Sequence, residues 1–227
     1  MPRYEDILSF LCPCKFPPTW IVLKCTGNVN QSWEGDDGPN PLTELGRSQA
    51  DSLGRDWADT PIDHLLSSPL QRAGDTAKAL SSHNQGHPEI VIHPSLVERR
   101  YGDRVHRLMP VDREGGWAEL TGRPSYIRGP LSRFHCPAEG GESMNMVALR
   151  AEAIIRSIFS YCGVNLSEAP EFFLEKKTTD TPNVLPDGIP HVVIVSHNIF
   201  LTELYEKLHS WGGEHSETDC DWKNASW

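Results

Sequence analysis

Lys24 and Cys25 stand side by side where the apolar run Trp20-Ile21-Val22-Leu23 gives way to Thr26-Gly27-Asn28. A cation beside a thiol can hold it as the nucleophilic thiolate. Arg72, Glu98 and His197 occupy comparable boundaries, each soon after a short apolar stretch. Arg72 is a permanently charged fork suited to a phosphate or carboxylate. A carboxyl at 98 and an imidazole at 197 facing one ligand can give and take protons. Asn198 opens a helix-like stretch, and a helix start offers unpaired N–H groups to an anion. Together these residues predict one anion pocket, with Glu98, His197 and Cys25 as catalytic candidates and Lys24, Arg72 and Asn198 as binding candidates. Each has a plainer reading. A free cysteine usually behaves as a small buried hydrophobe. His197 can cap a helix or fill a core, and Lys24 can be an ordinary strand-end charge. Glu98 can be a solvated acid paired with Arg99, Arg100 and Arg104.

The elements that would bring these residues together alternate. After the first strand, Thr43 is a good N-cap, and Leu45, Ala50, Leu53 and Trp57 recur at helical spacing. "IDHLLSS" reads as a second strand. "PLQRAGDTAKALSSH" reads as a helix with Pro69 in its first turn and Ala73, Ala77 and Leu80 on one face. "EIVIHP" is a third strand. "GGESMNMVALRAEAIIRSIFSYC" is a long helix with Met146, Leu149, Ala153, Ile154 and Ile158 on one face, capped by Glu142 and Ser143. "HVVIVS" is apolar on both alternating faces, as a central parallel strand must be, and "HNIFLTELYEKLH" follows as a helix. This alternation predicts a three-layer α/β/α sandwich with a mostly parallel sheet, whose ligands bind at the carboxyl ends of the strands.

Residues 20–210 read as a single domain, preceded by an extension (1–19) and followed by a polar tail (211–227). Residues 99–140, rich in Arg, Gly and Pro, predict an irregular lid, with Trp117, Tyr126, Ile127 and Phe134 as candidates for an apolar mouth. Residues 163–190 read as a polar insertion. The chain has 38% hydrophobic and 23% charged residues, which suits a packed core and argues against wholesale disorder. A net charge of −10 without a basic stripe disfavours nucleic acid and anionic membranes as partners, leaving a small molecule as the expected one. The six cysteines show no paired pattern, and Cys12-Pro13-Cys14 is too isolated for a zinc site, so no metal or cofactor is expected. With no apparent signal peptide or spanning run, the chain reads as cytoplasmic. A homodimer is compatible with all of this.

The ordered motifs resemble the histidine phosphatase superfamily, the phosphoglycerate-mutase-like fold. "NPLTELGRSQADSLG", "SSPLQRAGDTAKAL", "LVERRYGD", "GGES" at 140–143 and "VSHN" at 195–198 follow that family's order over residues 20 to about 208. The resemblance implies Arg72 as a phosphate-binding arginine, Glu98 as proton donor and Asn30 as a binding-site asparagine. It also implies a nucleophilic histidine after the first strand, preceded by arginine and followed by glycine. Here those positions hold Lys24, Cys25 and Thr26, and Asn198 stands where glycine is usual. Cysteine phosphatases place an arginine six residues after their cysteine, but Gln31 follows Cys25 at that distance.

The first strand is rewritten while Arg72, Glu98 and His197 stay in place. That selectivity leads to the expectation of an acid–base enzyme, of the dehydratase/lyase, isomerase or cyclase type, in a specialised biosynthetic pathway. Two other readings stand beside it. One is a phosphomonoester hydrolase working through Cys25 or activated water. The other is a binding module that keeps the anion pocket without turnover.

Overall fold

A strand buried at every position needs partners on both edges and cover on both faces, and His191–Ser196 is such a strand. It is the fourth in chain order (β4) of a computed structural model. The model describes residues 41–100, 102, 133, 134, 136, 139–160 and 190–208, and the backbone alone of 20–25, 161 and 209. Outside the described residues lie the expected extension (1–19), Asn30, the side chains of Lys24 and Cys25, most of the expected lid including Trp117, Tyr126 and Ile127, nearly all of the insertion, and the tail.

β4 is flanked by β1 (Trp20–Cys25) and β2 (His64–Ser67), and β3 (Ile90–Ile92) pairs with β2. The order is β1-β4-β2-β3, and all four strands run parallel, in agreement with the α/β expectation. Four helices are described: α1 (Glu44–Asp56), α2 (Gln71–His83), α3 (Met144–Tyr161) and α4 (Asn198–His209).

Two cores follow from the alternation of side chains along the strands. Val193 and Val195 of β4 and Leu65 of β2 pack with Leu53 and Trp57 of the α1 region and Ala73, Ala77 and Leu80 of α2. Val192, Ile194 and Leu66 pack on the other face with Val147, Ala151, Ile154, Ile155 and Ile158 of α3 and Phe200, Leu201 and Leu204 of α4. Among the described residues no helix is long and apolar enough to cross a membrane.

Local signals set the ends. Thr43 caps α1 by accepting from the Gly46 N–H at 3.0 Å. β4 is anchored at its start, where Asp63 accepts the His191 N–H at 2.7 Å and the His191 ring lies 2.6 Å from the Pro61 carbonyl through Nδ1. Two helical faces differ from expectation. Leu45 is exposed, because α1 turns Gly46, Ala50 and Leu53 inward. In α3 the buried stripe runs through Val147, Ala151, Ile154 and Ile158, and Met146, Leu149 and Ala153 face outward. Both sets fit a 3.6-residue period, so spacing alone could not choose between them. Pro69 lies just before α2, whose N-cap is Leu70.

α1 and α2 meet closely at Gly54, where an added Cβ would lie 2.6 Å from the Ala79 carbonyl oxygen. That neighbour is backbone and cannot swing away. Gly54→Ala is therefore expected to destabilise the chain by about 1–3 kcal/mol, outweighing a helix-propensity gain of about 1 kcal/mol. Nothing lies within 4 Å of a Cβ at Gly74, so Gly74→Ala should stabilise by ~0.5–1 kcal/mol. Urea unfolding of both variants checks the pair, and equal signs would contradict the close α1–α2 approach.

Candidate active site

The carboxyl ends of the strands deliver the site. β2 runs into Ser68, whose N–H continues the sheet by bonding the Val195 carbonyl at 3.0 Å. Ser68 Oγ accepts from the Leu70 N–H at 3.3 Å and shares a hydrogen bond with His197 Nε2 at 2.8 Å. One buried hydroxyl thus ties the start of α2, which carries Arg72, to the end of β4, which carries His197. Ser196 donates to the Leu96 carbonyl at 2.7 Å and fastens β4 to the single 3₁₀ turn, Pro94–Leu96, that follows β3. Glu98 comes two residues after that turn.

Glu98 does not stand beside an open helix start. Its Oε2 accepts the Ile199 N–H at 3.2 Å, and its Oε1 accepts the Phe200 N–H at 3.1 Å and the Arg99 N–H at 2.8 Å. The carboxylate itself occupies the N-terminus of α4. This corrects the expectation that the α4 start at Asn198 would offer these N–H groups to a ligand. The Asn198 side chain is on an exposed residue, and its carbonyl accepts from Thr202 Oγ1.

The electrostatics pull the acid and the base toward neutrality. Burial pushes the Glu98 carboxyl above its ordinary value, against the opposing pull of its three backbone N–H partners and the Arg72 charge. His197 is buried, and burial, with the Arg72 and Arg150 charges, holds its imidazole well below the ordinary histidine value. Arg72 therefore acts on both groups across one site.

Of the expected residues, Arg72, Glu98 and His197 come together. Lys24 and Cys25 do so at the level of backbone register, since Lys24 pairs with Val195 and Cys25 with Ser196, one residue before His197. Asn30 lies outside the described residues.

The sequence reading missed two contributors, Ser68 and Arg150, and gave Glu142 only the role of a helix cap. Ser143 caps α3 as expected, accepting the Met146 N–H at 3.2 Å. Glu142 turns its side chain elsewhere, to Arg100 and Arg150. Its backbone N–H bonds the Arg100 carbonyl at 2.7 Å, and its Oε2 accepts the Arg100 N–H at 3.0 Å. Both its oxygens also bond Arg150, at 3.1 and 2.8 Å. Arg150 could have been noticed as a lone cation on the apolar stripe formed by Val147, Ala151 and Ile154. Among the described residues no group of three or more His, Cys, Asp or Glu side chains is placed to share a metal ion.

The model of the histidine phosphatase superfamily (branch 1) matches residues 24–163. The chain belongs to this enzymatic family. A curated relative, fructose-2,6-bisphosphatase TIGAR of Xenopus laevis, is 32% identical over 145 residues, covering 63% of this chain and 48% of the relative. The chain thus spans about half the length of that relative. Fructose-2,6-bisphosphatase TIGAR B of Danio rerio is 28% identical over 184 residues, covering 77% of this chain and 66% of the relative. In fold, the chain is similar to the phosphoglycerate mutase of Bacillus anthracis, with a TM-score of 0.57 and 18% identity over 86% of this chain and 82% of the other. It is likewise similar to the alpha-ribazole phosphatase of Shigella flexneri, with a TM-score of 0.55 and 23% identity over 82% and 78% of the two chains. These findings overturn the expectation of a lyase, isomerase or cyclase. The sequence relatives carry phosphatase names, and the altered residue at 25 had been given too much weight against the rest of the motif set.

His197 gives the site a measurable signature. Its folded pKa lies below the unfolded value, so its contribution to stability is present above the ordinary histidine value of 6.5 and is lost as pH falls below it. In a ¹⁵N-resolved titration His197 should stay neutral to well below pH 6.5, and Arg72→Met should move its midpoint upward by removing a nearby positive charge. A wild-type midpoint at or above the ordinary value would contradict this account of the pocket.

Proposed function

We propose that this protein hydrolyses phosphate monoesters of small molecules. Arg72 and His197 bind the phosphoryl group, and Glu98 protonates the departing ester oxygen. The observation that carries this reading is the convergence at the carboxyl ends of the sheet of His197, tied through Ser68 to the start of the helix that carries Arg72, and of Glu98, seated on the helix start that follows His197. A fixed guanidinium suits a phosphoryl group that carries negative charge through the reaction. A carboxyl pushed up by burial keeps its proton to higher pH than an exposed one, as a general acid needs. Phosphorylated sugars are the first substrates to try, a choice supported by the fructose-2,6-bisphosphatase names of the sequence relatives.

The attacking group belongs at the end of β1, whose last backbone position pairs with Ser196. Two routes fit that place. In one, the Cys25 thiolate takes the phosphoryl group from the ester oxygen, and water then cleaves the S–P bond. In the other, water held at this edge attacks phosphorus directly. Both give an alcohol and inorganic phosphate and need no cofactor.

Phosphate release from a panel of sugar and other monoesters between pH 5 and 8 provides the test. Turnover is expected, with an alkaline limb set by loss of the Glu98 proton. Glu98→Gln should remove that limb and lower kcat/KM by ~10²–10⁴-fold. Arg72→Met should weaken inhibition by inorganic phosphate. Cys25→Ala abolishes turnover on the thiolate route and spares it on the water route. If no monoester releases phosphate while inorganic phosphate still raises the melting temperature, the protein is a binding module and hydrolysis is wrong.

A further inference from the structure

We propose that Arg150, clamped by Glu142, is a positioning residue for Glu98. The proposal rests on the reading of Glu98 as the proton donor.

The segment that carries Glu98 leaves β3 through one 3₁₀ turn, so its carbonyls are not paired along a strand. Arg150 supplies donors to three of them. Its Nη1 bonds the carbonyls of Ser95 and Val97, each at 2.7 Å, and its Nη2 reaches the Glu98 carbonyl at 3.4 Å. The remaining donors go to Glu142, with Nε on Oε1 at 3.1 Å and Nη2 on Oε2 at 2.8 Å. The two side chains are only 15% and 13% exposed, so the pair is largely shielded from water and salt. A planar guanidinium can hold this many acceptors in fixed directions, whereas an ammonium cannot.

The same guanidinium lies 4.8 Å from the centre of the Phe200 ring. Phe200 is the residue whose N–H donates to Glu98 Oε1. Arg150 therefore touches both ends of the arrangement: the main chain that carries Glu98, and the ring on the helix turn that its carboxylate caps. Glu142 closes the frame from the far side through its two-way backbone and side-chain contact with Arg100. None of Arg150's own contacts uses the Glu98 carboxyl oxygens, so Arg150 acts through the placement of Glu98 and not on the substrate. Its charge is also one of the causes of the lowered His197 pKa, which links the same residue to the second half of the site.

A structural staple and a positioning residue differ in which substrates suffer. An alkyl phosphate needs its leaving oxygen protonated, whereas p-nitrophenyl phosphate carries a leaving group good enough to depart without an acid. Full-length Arg150→Lys, Arg150→Met and Glu142→Gln are compared with wild type and Glu98→Gln on both esters. The expected result is a loss of ~10–100-fold in kcat on the alkyl ester, a much smaller loss on the aryl ester, and KM changed little, the pattern also shown by Glu98→Gln. Equal losses on both esters would overturn positioning and leave only a staple.

A second readout needs no turnover. In wild type, the backbone amides of Ile199 and Phe200 should titrate with the Glu98 carboxyl to which they are bonded, and in Arg150→Lys that titration should shift or vanish. Unchanged amide titration in the variant overturns the clamp even where the wild type hydrolyses nothing, an outcome that by itself counts against the hydrolase reading alone. Where Arg150→Met does not fold, Glu142→Gln, which keeps side-chain volume, carries both measurements.

Discussion

A carboxylate seated on the first free N–H groups of a helix is the contact on which the rest of this site depends. Glu98 gives both oxygens to the start of α4, so the helix end and the acid satisfy one another. Without those partners a buried carboxyl beside an apolar core would be costly. With them, Glu98 fixes where the chain after β3 must run relative to the chain after β4. Two other ties reinforce that placement: Ser196 to the Leu96 carbonyl, and Ser68 to His197. The consequence for binding is a division of labour. The dipole of α4 acts on the protein's own acid, so among the described residues Arg72 and His197 are the groups left, on the proposed reading, to attract an outside anion.

The packing beneath supplies the rigidity that this division needs. β4 is buried at all its positions, with Val193 and Val195 facing one pair of helices and Val192 and Ile194 the other. A strand held from both sides cannot shift its register without turning every side chain to the wrong face. Its last residue, Ser196, and His197 directly after it inherit that constraint. Arg72 is placed in turn by α2, which packs Ala73 and Ala77 against the same face that receives Val193 and Val195. The small residues let the helix lie close to the sheet, so its second residue lies at the strand ends.

Much of this was legible in the sequence. The alternation of short apolar runs with helical stripes gave the parallel sandwich, Thr43 marked a helix start, and Arg72, Glu98 and His197 were each found at a strand end. Where the reading failed, the physical reasons are specific. Ile154 and Ile158 were placed inward rightly, but spacing could not tell Met146, Leu149 and Ala153 from Val147 and Ala151, because a helix apolar over a wide arc satisfies the same period on either face. The α4 start was taken as open because its partner, Glu98, lies about a hundred residues away in the chain, and tertiary contacts of that range leave no local mark. Glu142 was read only as a helix cap, because its bonds to Arg100 and Arg150 leave no local mark, and Arg150 was passed over although it stands as a cation on an apolar stripe. The lyase-type expectation came from treating the missing histidine at position 25 as a change of reaction. On the proposed reading the residue at position 25 bears on one step of phosphoryl transfer, whereas Arg72, Glu98 and His197, assigned to the others, are all present.

The charges around His197 and Glu98 also determine how the pocket responds to a phosphoryl dianion. Empty, the site keeps His197 neutral through burial and two nearby guanidinium groups. A dianion placed beside Arg72 reverses part of that influence, since its negative charge favours the protonated imidazole. Binding and proton uptake at His197 then reinforce one another, as reciprocal linkage requires. The same negative charge raises Glu98 further, so the acid keeps its proton most firmly when the substrate is in place. On the proposed reading, departure of the alcohol takes that proton away and leaves a carboxylate to which the Ile199, Phe200 and Arg99 N–H groups already donate. The geometry that caps α4 would then also stabilise the ionised acid after transfer.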